Sequence, residues 1–289
     1  MKKKILLVGC GNIGFRHLEG LLKTNIALDI IIIEQSIKKI IDQKKKIKKI
    51  KYINKKIYFY NNYSIKKLKF DLVICATNSY KRYDLLKKLV SKYNFSKIII
   101  EKLAFQNIRM FEKAIQLFKK KKIKCWINCP RREQKIYKLI KKENKNNKKL
   151  SIEVVGKRWN LASNSIHFFD LFYFLNEKET HFNENEEKLR IIKSKHQNFL
   201  ELTGKFNIRY GNFAISLNDQ KKSSDIIVKI KTSKMKYSIN ETKQVIKFYS
   251  KNKDFEKKIK ILKQSQLSKI LIEKIINKEK IILPTIYEA

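Results

Sequence analysis

The sequence predicts an α/β protein in which an amino-terminal doubly wound parallel sheet precedes an α+β unit built on an open, mostly antiparallel sheet. Three observations point there. Through residues 1–127, short continuous apolar runs alternate with segments of helical spacing, and parallel strands require such crossovers. A glycine-rich turn joins the first run to the first helix. After Pro130 the alternation stops and longer strand-like stretches take over, so residues 128–289 are assigned to a second domain.

Lys4 to Val8 reads as a buried parallel strand, and Ile13 to Lys23 as the helix behind it. Ala27 to Ile33 is a second apolar run, closed by Glu34. Beyond the lysine-rich stretch 38–69, strands are expected at Phe70 to Ala76, Lys97 to Ile100 and Lys124 to Cys129. Helices are expected at Tyr80 to Lys92 and Asn107 to Lys120. In the second domain, a helix at Arg132 to Lys142 leads into a polar tract at 141–149 that reads as an exposed loop. Strands follow at Leu150 to Val155, Phe199 to Asn207, Asn212 to Asn218, Asp225 to Thr232 and Lys236 to Tyr249, with helices at Ser165 to Leu175 and Ser265 to Asn277.

The 289 residues carry a formal charge of +42, which by itself would suggest a nucleic-acid or membrane-surface partner. The excess is mainly lysine and runs through every segment, whereas dedicated nucleic-acid sites concentrate arginine and aromatics on one element. A solvated lysine surface is the expectation, with no specific nucleic-acid partner. Binding of unrelated DNA duplexes should therefore be indifferent to sequence and should collapse between low and physiological salt in a titration. Tight, sequence-selective binding at physiological salt would overturn this.

Cys10, Cys75, Cys125 and Cys129 include no C-x-x-C pair, so buried free thiols and no metal site are expected. No apolar run reaches the length a membrane helix needs, and a cytoplasmic protein without a membrane partner is the expectation.

Gly9, Gly11 and Gly14 stand at G-x-G-x-x-G spacing directly after a strand and at the start of a helix. The first glycine permits the tight turn, the second lets backbone approach a pyrophosphate, and the third lets helix and strand pack closely. Free N–H groups of the first helical turn, at Asn12 and Ile13, would then hold the phosphate. Glu34 closes the next strand about 20 residues on, where a carboxylate accepts hydrogen bonds from the adenosine ribose. These features predict a Rossmann domain that binds NAD, because a carboxylate repels a 2′-phosphate. Ser36, Lys38 and Lys39 lie near enough to soften that repulsion, so NADP stays open.

Further landmarks fall in one order: Gly9 to His17, Ala76-Thr77-Asn78, Glu101-Lys102, Asn128 to Arg132, and Trp159-Asn160-Leu161 through Ser165-Ile166-His167 to Asp170. Over residues 1 to 175 the chain resembles the glucose-fructose oxidoreductase, inositol dehydrogenase and rhizopine-catabolism (Gfo/Idh/MocA) family, and the closing Leu283-Pro284-Thr285 is similar to that family's end. The resemblance implies hydride exchange between a nicotinamide and a carbinol or carbonyl carbon of a sugar, cyclitol or sugar nucleotide, as in surface-carbohydrate synthesis. It also implies a homo-oligomer formed through the second domain's sheet. Lys102 matches the lysine of the family's Glu-Lys-Pro motif, His167 its substrate-domain histidine, and Ala76, Thr77, Asn78 and Glu101 its cofactor-side loops.

The chemistry asks for those residue types. Oxidising a carbinol needs a base for the hydroxyl proton and a donor for the developing oxyanion. Histidine suits the first, and a lysine at the carboxyl end of a strand suits the second. Among the apolar company of Phe168, Phe169 and Phe172, His167 is alternatively a core or capping histidine. Arg131 is placed to bind an anionic substrate group or to form an interdomain ion pair, and Asn160 and Asn164 to bind sugar hydroxyls or cap the following helix. The sequence departs from the family in Leu103, where a proline follows the lysine, and in Ser163, where an aspartate stands one turn before the histidine. Asp170 is the remaining nearby carboxylate. These departures keep a second class open: a dinucleotide-binding protein without turnover, a sensor or scaffold.

Overall fold

The computed structural model describes residues 2–65, 68–145, 148–176, 183–194, 199–219, 225–249 and 254–288. Positions 146 and 147 of the polar tract thus lie outside the described residues. The chain divides into two compact units, Met1–Pro130 with Leu262–Ala289, and Arg131–Ile261.

The first unit is built on six parallel strands: β1 (Lys3–Val8), β2 (Leu28–Ile33), β3 (Lys55–Tyr60), β4 (Leu72–Cys75), β5 (Lys97–Ile100) and β6 (Lys124–Ile127). Their order, β3-β2-β1-β4-β5-β6, is that of the Rossmann sheet, whose strand order reverses beside β1. The crossovers are α1 (Asn12–Leu22), α2 (Ile37–Ile47), α3 (Arg82–Lys92) and α4 (Ile108–Lys120). The central strands are apolar throughout, and every residue of β4 is buried because helices cover both faces.

The sequence reading leaves α2 and β3 unassigned inside the lysine-rich stretch. In α2 only Ile40, Gln43 and Ile47 are buried, so the inward stripe is one side chain wide, and Ser36 caps the helix by accepting the Lys39 N–H. β3 is an edge strand with only alternate half-buried positions.

A larger correction concerns the end of the chain. The division at 127/128 assigns everything downstream to the second domain, but Leu262–Ala289 belong to the first unit. The C-terminal helix Gln264–Ile276 buries Leu271, Ile272 and Ile275 in the same apolar cluster as Ile5, Leu18, Leu21 and Ile74. The contact with α1 is close at Gly20, where an added Cβ would lie 2.6 Å from the Ser268 Cβ and 2.8 Å from the Ser265 carbonyl oxygen. The segment then bridges the sheet edge, the Ile127 N–H donating to the Pro284 carbonyl and the Ile286 N–H to that of Cys125.

The second unit carries eight strands: β7 (Leu150–Val155), β8 (Glu184–Lys193), β9 (Leu200–Tyr210), β10 (Phe213–Asn218), β11 (Ile227–Thr232), β12 (Lys236–Asn240), β13 (Val245–Tyr249) and β14 (Asp254–Lys258). Their order is β8-β9-β10-β7-β11-β12-β13-β14, and β7 with β10 is the one parallel pair of this sheet among the described residues. The sequence reading misses β8 and β14 and takes β12 and β13 as one strand, whereas the turn 241–244 folds them into a hairpin. Alternation is clean in β11, with Val228, Ile230 and Thr232 inward and Lys229 and Lys231 outward. On this sheet lie α5 (Lys135–Glu143) and the largely buried α6 (Ile166–Leu175), whose Phe172 ring sits edge-on 6.4 Å from Phe213. All four cysteines are buried, and none forms a disulfide.

Candidate functional site

In the first unit the three glycines do distinct things. Gly9 adopts a φ of +83°, and a Cβ there would lie 3.0 Å from Thr77 Cγ2 and 3.1 Å from the Ala76 carbonyl. The loop after β4 therefore rests directly on the glycine turn. Gly14 packs so closely that a Cβ would stand 2.1 Å from the Gly9 oxygen. Gly11 is the opposite case: its φ is −69°, and a Cβ would meet no protein atom within 4 Å. The protein's own packing does not require glycine at Gly11, which borders open space.

No side chain caps α1 and no acidic residue occupies its first turn, so its opening N–H groups and positive dipole end face an exposed surface at Asn12 and Ile13. The buried Glu34 carboxylate stands at the same loop. Its Oε2 accepts the Cys10 N–H at 2.8 Å and its Oε1 the Ser36 N–H at 3.1 Å. Each oxygen keeps lone-pair capacity for a further donor such as a ribose hydroxyl. The Cys10 thiol is pushed up to about 12, by burial first and the Glu34 charge second, and stays protonated at neutral pH. An open cradle at Gly11, an uncapped helix start and a carboxylate at the end of β2 fit a dinucleotide.

At the carboxyl end of β5 a buried polar cluster fixes Glu101. Its Oε1 contacts His17 Nε2 at 2.8 Å and accepts the Asn128 amide at 2.5 Å, while His17 Nδ1 meets Ser268 Oγ at 2.9 Å. Burial alone would raise the Glu101 pKa. The His17 contact, the Asn128 hydrogen bond and the Arg82 charge outweigh it and hold the carboxyl below its ordinary value. Lys102 follows at once, half-buried, and its peptide bond to Leu103 is cis. Ala76 and Thr77 are half-buried and Asn78 exposed at the end of β4, the strand beside β5. The roles of His17, Asn128 and Ser268 escape sequence reasoning, although His17 and Asn128 stand within its landmarks. Tyr80, Lys81 and Arg82 are lesser candidates there, at the start of a helix near the expected nicotinamide edge, but without the role that Arg82 takes.

Within the second unit, His167 lies half-buried on α6. The other residues there correct several expectations. Arg131 makes a two-pronged ion pair with Glu241 at 3.0 and 2.8 Å, its guanidinium lies 4.4 Å from the Phe168 ring centroid, and Tyr137 donates to the same carboxylate at 2.7 Å. An ion pair does form, but within the second unit and not as the interdomain pair expected from the sequence. Asp170 pairs with Arg132 at 2.7 Å, since the neighbouring guanidinium is the stronger attraction for its charge. The Asn164 amide donates to the Trp159 carbonyl at 2.6 Å. Asn160 is exposed in a left-handed conformation, and its side chain does not cap the helical turn Leu161–Asn164. At Ser163 the N–H donates to Oε1 of the buried Glu201 on β9 at 3.1 Å, a carboxylate that sequence reasoning missed because it comes from a distant strand.

Residues 1–96 match a family model described as "Putative NAD(P)-binding". A Gfo/Idh/MocA family oxidoreductase from Vibrio cholerae superposes over 97% of this chain and 91% of its own, with a TM-score of 0.69 and 13% identity. The fold is that of the Gfo/Idh/MocA oxidoreductases. The same fold joins it to a UDP-N-acetylglucosamine 3-dehydrogenase from Acidithiobacillus ferrooxidans (TM-score 0.67, 11% identity, covering 96% of this chain and 88% of that one). It also joins it to a super-repressor mutant of Gal80p from Saccharomyces cerevisiae (TM-score 0.69, 12% identity, covering 98% and 87%). No curated protein matches the chain in sequence. The Gfo/Idh/MocA fold thus accounts for both units, and the NAD(P)-binding family model falls within the first. Among the described residues no helix is long and apolar enough to cross a membrane, and no three His, Cys, Asp or Glu side chains converge as around a metal ion.

Proposed function

We propose that this protein is an NAD(P)-dependent dehydrogenase or reductase acting on a CH–OH group of a sugar, cyclitol or sugar nucleotide, with a place in surface-carbohydrate synthesis. The observation that carries it is the open cradle at Gly11, which sits at the uncapped start of α1 beside Glu34. Gly9, Gly11, Asn12, Ile13 and Gly14 hold the pyrophosphate, Glu34 the adenosine ribose, and Ala76, Thr77, Asn78 and Glu101 border the nicotinamide half. Bound nicotinamide supplies the hydride donor or acceptor. Lys102 donates a hydrogen bond to the substrate oxygen and stabilises its developing charge, and His167 takes or returns the hydroxyl proton. Asn160, exposed and not capping its helix, contributes to the substrate's hydroxyl contacts. Arg131 serves the ion pair with Glu241 and not the substrate. The 3-dehydrogenase neighbour supports the sugar-nucleotide class.

A second reading, a dinucleotide-binding protein without turnover, is favoured by one departure in the sequence: Ser163 stands where the family has an aspartate one turn before His167, and the nearby Asp170 pairs with Arg132. Fluorescence titration with NADH and NADPH, followed by a screen of sugars and sugar nucleotides at the nicotinamide absorbance band, separates the two. Binding with turnover on any of them supports the enzyme, binding with none supports the second reading, and failure to bind either dinucleotide defeats both.

A further inference from the structure

Arg82, the first residue of α3, is 1% exposed and its guanidinium meets no carboxylate within hydrogen-bonding distance among the described residues. Among the described residues its hydrogen bonds all go to main-chain carbonyls. Nη2 donates to the carbonyl of Thr77, in the loop after β4. Nη1 donates to those of Glu101, Leu103 at 2.5 Å and Ala104 at 2.9 Å, in the loop after β5. Burying a guanidinium is costly, and an apolar side chain would fill the space without that cost. What the arginine adds is donors on a rigid planar fork, able to hold two loops in fixed relation. Those loops end adjacent parallel strands, at the side of an open α/β sheet where ligands bind. Lys102 lies between two of the clamped carbonyls, those of Glu101 and Leu103.

We propose that Arg82 is a positioning residue that clamps the 101–104 loop to the 76–78 loop and thereby fixes where Lys102 stands. The proposal rests on the reading of Lys102 as the oxyanion-stabilising group. Main-chain acceptors leave the clamp indifferent to the identity of residues 103 and 104, so it works with Leu103 as it would with a proline there.

The test reads the clamp without turnover. Hydrogen exchange of segments 76–79 and 101–106 and competitive acetylation of Lys102, both by mass spectrometry, are compared in wild type, Arg82→Met and Arg82→Ala, with and without NADH. Losing charge-assisted hydrogen bonds should speed exchange in both segments by about tenfold or more. Lys102 should acquire the labelling profile of the solvated lysines, and guanidinium at sub-denaturing concentration should restore the wild-type profile in Arg82→Ala. A merely structural role would lower thermal stability without that selective, rescuable change. A folded variant with wild-type exchange and labelling overturns the proposal. Should the truncations fail to fold, Arg82→Lys decides: its single ammonium cannot span both loops, so loosening supports the clamp and wild-type behaviour refutes it. Should the clamp behave as expected while Lys102→Met keeps full turnover, the catalytic reading of Lys102 fails and the clamp stands.

Discussion

Gly11→Val is expected to abolish dinucleotide binding in a protein that remains folded. A Cβ at this position finds no protein atom within 4 Å, and a φ of −69° is ordinary for any residue. The added side chain would instead fill the cradle through which a pyrophosphate reaches the N–H groups of α1. Two or more charge-assisted hydrogen bonds depend on that approach, so affinity for NADH should fall by at least about 100-fold. Gly14→Val is the control with the opposite signature. Its Cβ would stand 2.1 Å from the Gly9 oxygen, forcing α1 off the glycine turn, and overpacking of this kind costs about 1–3 kcal/mol or more. Melting curves and NADH titrations of the two variants together check the assignment. Retained NADH affinity in a folded Gly11→Val protein would refute the cradle.

The contrast between these glycines shows where sequence reasoning reached and where it stopped. Spacing and context were enough for the turn, because a strand before and a helix after restrict what three glycines can do there. The central strands were legible for a related reason: runs such as Ile5 to Val8 are buried on both faces, so apolar continuity is itself the signal. α2 offers only a narrow apolar stripe among lysines, whereas β3 does carry a strand-like run, Ile57-Tyr58-Phe59-Tyr60, which the lysine-rich surroundings masked. The C-terminal helix was visible as a helix, but an apolar stripe does not say which sheet it will cover. Arg82 stood out as a lesser candidate at the start of its helix, but its role was illegible for a different reason. Its partners are main-chain carbonyls, present at every residue, so no side-chain pattern marks them. Arg131 and Glu241 lie 110 positions apart, and only the folded sheet brings them together.

Lys102→Met and His167→Ala are each expected to remove most hydride transfer while leaving NADH affinity close to wild type. The reason is positional. The dinucleotide's adenosine and pyrophosphate are held, in the proposed arrangement, by Glu34 and the glycine turn, neither of which either substitution touches. Removing a positioned proton-transfer group costs about 10²–10⁴-fold in rate, and removing an oxyanion donor about 10²–10³-fold. Single-turnover absorbance measurements on the substrate from the sugar screen separate these losses from binding. If the two residues act on one transition state, the double variant should lose less than the product of the single losses, because with one gone the other has little left to stabilise. His167 also has a structural alternative among the phenylalanines of α6, and His167→Gln separates it: a core role would be largely kept by a polar side chain of similar size, whereas proton transfer would not. Full activity in both Lys102→Met and His167→Ala would end the catalytic assignment. Full activity in His167→Ala alone would leave Lys102 as the sole catalytic side chain and require the proton to pass through water.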